Sequence, residues 1–218
     1  DMILGFEKDV LGIYLSGHPL EKYRNIMEKM ISARTIDFQP DDETGIPKVY
    51  DGQKVIIGGM ITEKTIKYTR NNKVMAFLTV EDLMGTVEIV VFPRDYEKWQ
   101  TLINEDARVF IQGRVNAEDD KPSKLILEKV RAFDDIPREI WIQFKDREDY
   151  AQKEQELLNY LRGSVGTSAV VIYLKDVKAI KRLPAGYHVQ ISDFLLEELK
   201  KKYGDSNVKV VERVLKNF

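Results

Sequence analysis

The chain has 218 residues, 43 % of them hydrophobic and 32 % charged, a composition that supports a folded core and excludes a disordered polymer. Lysine and arginine number 34 against 36 aspartates and glutamates, so the net charge of -2 excludes a globally basic coat for nucleic acid and confines any such site to a local patch. There is no cysteine, which excludes disulfides and thiolate chemistry, and the two histidines, His18 and His188, are too few for a histidine-rich metal site.

No apolar run approaches the length of about 20 residues that a membrane-spanning helix needs. The first residues also lack the basic and apolar regions of a signal peptide. We therefore expect a soluble, cytosolic protein with no membrane partner. A first residue of Asp1 rather than methionine suggests a fragment or a processed chain.

Residues 1–49 are short and mixed, and we expect a connecting helical segment there. Apolar residues recur at helical spacing between Leu11 and Leu15, and again in residues 20–30 after the break at Gly17-His18-Pro19. Residues 39–48 hold two prolines, a glycine and three acids, which is typical of a loop. The stretch is too small to hold a core alone, so we expect it to pack on residues 50–135.

Residues 50–135 are predicted to form strands. The first runs from Val55 toward Tyr68 through Gly58-Gly59, and paired glycines inside a strand favour the bend that a barrel corner requires. Four more strands and one helix follow the first strand. They are expected in the order strand (73–82), strand (86–92), helix (93–103), strand (109–115) and strand (125–130). This order is that of an OB-fold, a small Greek-key barrel. An SH3-like barrel lacks the helix, and a sandwich usually needs more strands.

Residues 136–218 change period again and predict a small α+β domain suited to docking a partner. The expected elements are a strand at Ile140 and Ile142, a helix over 150–161, strands over 169–174, 178–183 and 187–191, a helix over 193–202 and a strand over 208–211. Ser192 is expected to cap the second helix. The fold class is thus mainly β plus α+β: short helices, a five-stranded OB-fold barrel, and a small C-terminal α+β domain.

No catalytic constellation, metal site or cofactor fingerprint is found. The acidic pairs Glu81-Asp82, Asp119-Asp120 and Asp134-Asp135 lie in or near predicted turns, where Asp favours local backbone hydrogen bonds. Neighbours in a strand point to opposite faces, so none of these pairs makes a metal site by itself. For His18 we favour a ring that packs or caps at a tight bend over an acid–base group, and for His188 a structural role.

The binding signal is stronger. OB barrels bind single strands across their second and third strands, between the loops that join strands one–two and four–five. Around the first hairpin four basic residues stand against one acid, Glu63. Phe77 lies on the side of strand two opposite Val74, Ala76, Leu78 and Val80; it faces outward as a stacking platform if that set is the core, and inward if the faces are inverted. The predicted nucleic-acid-binding residues are Lys64, Lys67, Tyr68, Arg70, Lys73, Phe77, Arg114, Lys121 and Lys124.

The alternative for these lysines is ordinary solvated charge. Glu81, Glu88, Asp119 and Asp120 also oppose strong phosphate binding. We therefore expect binding that is weak, non-specific and sensitive to salt.

Residues 7–20, which include the string Gly-Ile-Tyr-Leu-Ser-Gly-His-Pro-Leu, resemble a segment of the bacterial DNA polymerase III alpha subunit just ahead of an OB domain near its C terminus. Residues 73–92, with Phe77, Glu81-Asp82 and Gly85, resemble that OB domain. The order of parts also matches over nearly the whole chain. The resemblance implies that the barrel engages the single-stranded DNA template and that the C-terminal domain docks the clamp-loader tau subunit.

In that family a motif that binds the sliding clamp lies upstream of the segment that begins at Glu7, and only six residues precede Glu7 here. The palm carboxylates and the N-terminal phosphoesterase-like domain are also missing. The resemblance therefore implies a non-catalytic C-terminal module of a DNA-directed DNA polymerase, a nucleotidyltransferase of the bacterial cytoplasm and nucleoid.

Two other functions remain open. Strand two also resembles the anticodon-binding OB appendage of class II aminoacyl-tRNA synthetases, although the Ser16-Gly17-His18-Pro19 segment argues against it. A protein-interaction scaffold with an inert barrel is supported by the balanced charge.

Overall fold

A computed structural model of the chain describes residues 18–117 and 121–213. It divides into two compact units: the first runs up to Asp135, and the second is Ile136–Arg213. The predicted helix between Leu11 and Leu15 and the turn at Asp119-Asp120 lie outside the described residues, as does most of the segment that carries the polymerase resemblance. Within the described ranges no helix is both long enough and apolar enough to cross a membrane.

From residue 18 onward, the first unit has short helices ahead of its strands, as expected. A 3-10 turn at Glu21–Tyr23 leads into α1 (Arg24–Met30), and a second 3-10 turn spans Thr35–Phe38. Three side chains that precede the first strand, those of Ala33, Phe38 and Val49, belong to the same buried cluster as the barrel interior. The segment therefore packs on the barrel and supplies part of its core.

Five strands close into a barrel, with α2 (Pro93–Trp99) between the third and fourth strands along the chain. The strands are β1 (Lys54–Tyr68), β2 (Val74–Glu81), β3 (Thr86–Val91), β4 (Arg108–Asn116) and β5 (Lys124–Ala132). The order around the barrel is β1-β2-β3-β5-β4. The predicted five strands and intervening helix are confirmed, although α2 ends at Trp99 rather than at Ile103.

β1 closes the barrel because it pairs with two partners in succession. Its first half pairs with β4, its second half pairs with β2, and Met60 is opposite both Arg108 and Glu81. Gly59 lies at this changeover, where a Cβ atom would sit 2.5 Å from the carbonyl oxygen of Glu81. Only glycine fits so close to the neighbouring backbone, which accounts for the paired glycines at the predicted bend.

The alternation in β2 divides its side chains between the core and the outer surface. Ala76, Leu78 and Val80 are 0 %, 1 % and 0 % exposed and line the barrel interior. Phe77 and Thr79 point to the other face and are partly exposed. The inverted assignment, with Phe77 in the core, is therefore wrong.

The second unit is a four-stranded mixed sheet with two helices. Its elements are β6 (Arg138–Phe144), α3 (Arg147–Arg162), β7 (Val170–Leu174), β8 (Ala179–Arg182), α4 (Asp193–Tyr203) and β9 (Val208–Glu212). The strand order in the sheet is β8-β7-β6-β9. The Ser192 side chain accepts a hydrogen bond from the Leu195 N–H and caps α4, as predicted. The α+β class is confirmed.

One predicted strand of this unit is wrong. The sequence pattern predicts a strand over residues 187–191 beside 178–183, but β8 pairs with β7 instead. Ala185–Tyr187 is a 3-10 turn, closed by the Tyr187 N–H bonding the Pro184 carbonyl, and only Val189 forms a bridge, to Ser168. Pro184, Ala185 and Gly186 do form a turn, but the residues after the turn bridge to Ser168 and do not pair with β8.

Candidate nucleic-acid interface

The barrel has two outer walls, and the N-terminal segment packs against one of them. We call the outer face of β4 and of the first half of β1 the covered wall. Phe110 of β4 is 0 % exposed there, with its ring centroid 4.3 Å from that of Phe133. Tyr23 contacts the same Phe133 ring at 5.0 Å, and a Cβ atom at Gly58 would lie 3.2 Å from the Ile31 side chain. This wall is part of the core.

The second wall is the outer face of β2, β3 and the second half of β1, and we call it the open wall. The strand register places Phe77 beside Thr65 of β1 and Val90 of β3. Thr65 is exposed, and Phe77 and Val90 are partly exposed. The Lys67 Nζ lies 4.7 Å from the centroid of the Phe77 ring, within the range of a cation–π interaction. An aromatic ring with a cation above it is thus presented toward solvent.

The hairpin turn between β1 and β2 carries two further predicted cations. Arg70 and Lys73 are both exposed in the turn between β1 and β2. Asn72 adopts a φ of 55°, the left-handed conformation that Asn tolerates, and the Thr69 N–H donates to the Lys73 carbonyl. Asn71 and Asn72 thus lie in the turn that joins β1 to β2.

At the other end of the open wall the charge is mixed. The Lys124 Nζ lies 2.8 Å from an Oε of Glu88, which brings the start of β5 against β3. Thr79 donates a hydrogen bond to Glu63 across the β1–β2 pair, at 3.1 Å. Lys121 is exposed in the loop that precedes β5. The start of β5 therefore flanks the open wall, and Glu88 reduces the positive charge that Lys124 brings there.

Strand alternation separates Lys64 and Tyr68 from this group. Both point to the opposite face of the β1–β2 hairpin from Phe77, because they pair with Leu78 and Val74 in the register. The Lys64 Nζ donates to Asn104 at 3.2 Å and lies 5.5 Å from the Tyr96 ring centroid, while Tyr68 is 67 % exposed. Their nearness to Lys67 in sequence does not place them on the same surface.

Arg114 also lies apart from Phe77. It is on β4, which neighbours β1 and β5 but neither β2 nor β3. Its Nε is 2.9 Å from an Oε of Glu128, and the Lys54 Nζ is 3.5 Å from the same carboxylate. Arg114 and Lys54 thus share one carboxylate on a part of the barrel that does not adjoin Phe77.

The Glu81-Asp82 pair has a structural role, as the turn interpretation predicts. The buried Asp82 carboxylate accepts hydrogen bonds from the backbone and hydroxyl of Thr35 and from the N–H groups of Met84 and Gly85. It fixes the β2–β3 turn and ties the N-terminal segment to it. Asp134-Asp135 similarly lies in a 3-10 turn, Phe133–Asp135.

His18 caps a bend rather than standing free in a site. Its Nδ1 accepts a hydrogen bond from the Leu20 N–H at 3.1 Å. The ring proton of the neutral form is therefore on Nε2, which lies 3.1 Å from the Glu81 carboxylate. This contact joins the segment before α1 to the end of β2.

Sequence reasoning missed two residues of the open wall, Thr65 and Val90. Neither is charged or aromatic, and they join Phe77 only through the register of β1 and β3 with β2. The period-two pattern gives each residue's face, but the pairing partner is a long-range fact.

Comparison with known proteins agrees with this geometry. Residues 55–132 match the family model described as an OB-fold nucleic acid binding domain. The barrel is an OB-fold. The matched residues include all of the open wall but not the N-terminal segment that packs on the covered wall.

The whole chain is similar to DNA polymerase III alpha subunits, which confirms the resemblance. It is 28 % identical over 216 residues to that of Bacillus subtilis, with 94 % of this chain and 18 % of the relative covered. It is 31 % identical over 185 residues to the Borreliella burgdorferi subunit, with 80 % of this chain and 15 % of the relative covered. It is 26 % identical over 222 residues to the Escherichia coli K12 subunit, with 96 % of this chain and 18 % of the relative covered. The chain thus spans less than a fifth of the length of these relatives.

A solved structure that is similar to part of this chain is the SSB domain of a Synechococcus protein. It is 16 % identical to this chain with a TM-score of 0.34, and the match covers 38 % of this chain and 97 % of the Synechococcus chain.

Proposed function

We propose that this chain is a non-catalytic C-terminal module of a bacterial replicative DNA polymerase, and that its OB-fold binds the single-stranded DNA template across the open wall. The observation that carries the proposal is the Phe77 ring, partly exposed on β2 beneath the Lys67 ammonium. Bases of any sequence stack on such a ring, which suits a template that changes with every step.

The charges around the ring support a path for the strand. Lys67, Arg70 and Lys73 lie at the hairpin end of the open wall, and Lys121 and Lys124 lie at the β4–β5 loop. Phosphates at both ends of a short strand would then meet cations while the central bases meet Phe77. The carboxylates of Glu63 and Glu88 lie on the same wall, so the binding is weak and falls as salt rises.

Further roles follow from the similarity to the alpha subunits alone. The second unit docks the clamp-loader tau subunit, a sliding clamp is engaged through a motif outside this chain, and the protein acts in the bacterial cytoplasm at the nucleoid. The division into 1–49, 50–135 and 136–218 is retained as a functional proposal, in which the first part supports the barrel.

The test is fluorescence anisotropy with labelled oligo-dT on the full chain and on Phe77→Ala. Loss of one stacked base, worth about 1–3 kcal/mol, lowers the affinity by roughly 5- to 150-fold. Phe194→Ala is the matched control, because Phe194 is 73 % exposed in the second unit. Its affinity should equal that of the unaltered chain.

Each alternative function has its own outcome. An affinity for oligo-dT that is the same in Phe77→Ala and Phe194→Ala contradicts the open-wall site. No binding at a salt concentration of about 50 mM favours the interaction scaffold, since electrostatic binding is strongest at low salt. A clear preference for structured tRNA over oligo-dT favours the synthetase-like appendage.

A further inference from the structure

The sheet of the second unit has an unpaired edge at β8. In the order β8-β7-β6-β9, β8 lies at one end and pairs with β7 alone among the described residues. All four of its residues, Ala179–Arg182, are exposed. Such an edge presents a row of backbone donors and acceptors to another strand.

The register identifies which backbone groups face outward. The Leu183 N–H donates to the Val170 carbonyl at 3.0 Å, and these two residues continue the β7–β8 register by one step beyond the Val171–Arg182 pair. Hydrogen-bonded and non-hydrogen-bonded pairs alternate along an antiparallel ladder. Ile180 and Arg182 therefore belong to non-hydrogen-bonded pairs, and their N–H and C=O groups point away from β7.

A cavity of about 370 Å³ lies between the first turns of α3 and the β7–β8 strands. Its lining includes apolar side chains from both strands, namely Ile172, Leu174 and Ala179, together with Arg147 and Lys181. The small side chain of Ala179 is on the edge strand itself. A side chain from a strand added at β8 can therefore reach over Ala179 into this cavity.

The carboxylate in the cavity lining, that of Glu154, is engaged. Lys181 Nζ lies 2.9 Å from a Glu154 Oε, and Tyr150 donates its hydroxyl hydrogen to the same oxygen at 2.8 Å. The hydrogen bonds from Lys181 and then Tyr150 lower the pKa of Glu154, and the bond to Glu154 raises the pKa of Lys181. The pair therefore stays ionised at neutral pH and contributes little net charge.

The segment around the edge is basic and partly apolar. Residues 175–182 hold four basic side chains and one acid, Asp176. Lys181 pairs with Glu154 and Arg182 pairs with Glu139, so the positive charge left to attract a partner is carried by Lys175 and Lys178. Lys175 and Lys178 are exposed in the turn before β8, while Val177 and Ile180 are 61 % and 54 % exposed. Two copies of this edge repel each other, because like charges would face across the new ladder. An acidic strand is attracted instead.

We propose that the β8 edge binds an extended acidic segment of a partner protein, which adds as a fifth strand and places an apolar side chain in the adjacent cavity. Main-chain hydrogen bonds to Ile180 and Arg182 supply the affinity, and the cavity and the flanking lysines supply the specificity. The site is independent of the open wall and of the DNA binding proposed there.

The probe is a fluorescein-labelled eight-residue peptide of alternating glutamate and valine, titrated against the full chain. A peptide of alternating lysine and valine is the charge control. We expect saturable binding of the acidic peptide and at least about tenfold weaker binding of the basic one. Equal affinities for the two peptides would overturn the proposal.

The backbone ladder is tested with Ile180→Pro, which removes an outward N–H but no bond to β7, a position where an edge strand tolerates proline. Ile180→Ala is the matched control, because it shortens the same side chain and keeps the N–H. Peptide binding should be lost in Ile180→Pro and retained within a few-fold in Ile180→Ala, while oligo-dT binding is unchanged in both.

A second measurement does not depend on the proline variant folding. N-methylation of the central valine amides of the peptide blocks the ladder while the protein is unaltered, and should abolish binding. Methylated peptide that binds as well as the parent refutes strand addition. Lys175→Glu combined with Lys178→Glu should weaken the acidic peptide by about tenfold, and unchanged affinity contradicts the charge argument.

Discussion

Each of the two outer walls of the barrel carries an outward-pointing phenylalanine, which is buried on the covered wall and partly exposed on the open wall. Phe110 on β4 and Phe77 on β2 both point outward from a strand, yet Phe110 is 0 % exposed and Phe77 is partly exposed. The difference lies in what packs on each strand: Tyr23, Ile31 and Phe133 cover one wall. An outward aromatic on a barrel strand therefore becomes core or binding surface according to its cover.

The largest effect that separates the walls is on stability. Phe110→Ala leaves a cavity under the N-terminal segment and should cost about 3–5 kcal/mol in the free energy of unfolding, measured by urea denaturation. Phe77→Ala, on the open wall, should cost less than about 1.5 kcal/mol because its ring already meets water. Equal losses in the two variants would show that the walls do not differ as described.

The next effect concerns how the N-terminal segment is held in place. Asp82→Ala removes an acceptor for four hydrogen bonds to Thr35, Met84 and Gly85, and should destabilise the chain by roughly 2–4 kcal/mol. Glu88→Ala is the control, since Glu88 is exposed on the open wall and its loss should change stability by about 0.5 kcal/mol or less. If Asp82→Ala is as mild as Glu88→Ala, the turn does not anchor the segment.

The smallest effect is electrostatic and belongs to the open wall alone. Lys67→Ala should make the plot of log affinity for oligo-dT against log salt less steep: its negative slope should shrink in magnitude by about 0.7, the value for one phosphate contact on a single strand. Lys54→Ala gives the matched comparison from the covered side, where the ammonium lies 3.5 Å from Glu128. The slope should stay constant in that variant, and a drop in both would mean that DNA contacts both sides of the barrel.

Local patterns are sufficient for much of this architecture. The alternation of Ala76, Leu78 and Val80 places Phe77 on the outer face, and the serine before the last helix marks its start. These features depend on a few neighbouring residues, where periodicity and capping chemistry act directly. The order of five strands and one helix is predictable for the same reason.

The features that a local sequence window does not give involve partners distant in the chain. Residues 187–191 have the pattern of a strand, but their neighbour is Ser168 rather than β8. Arg114 stays a predicted binding residue, but it lies on β4 beside Glu128 and not beside Phe77. Lys64 and Lys67 are close in sequence, although alternation puts them on opposite faces of the hairpin. Pairing and ion-pair partners are tertiary facts, and a local window does not contain them.

The packing of Phe38 and Ile31 has a consequence for where this chain can be cut. The family match begins at Val55, but Phe38 fills the barrel interior and its carbonyl accepts the Ser123 N–H. A fragment trimmed to the matched residues would lose that plug and expose the Phe110 ring to water. Bare aromatic surface of this kind promotes association between copies. We therefore expect the smallest fragment that folds by itself to be longer than residues 55–132, which the family model matches.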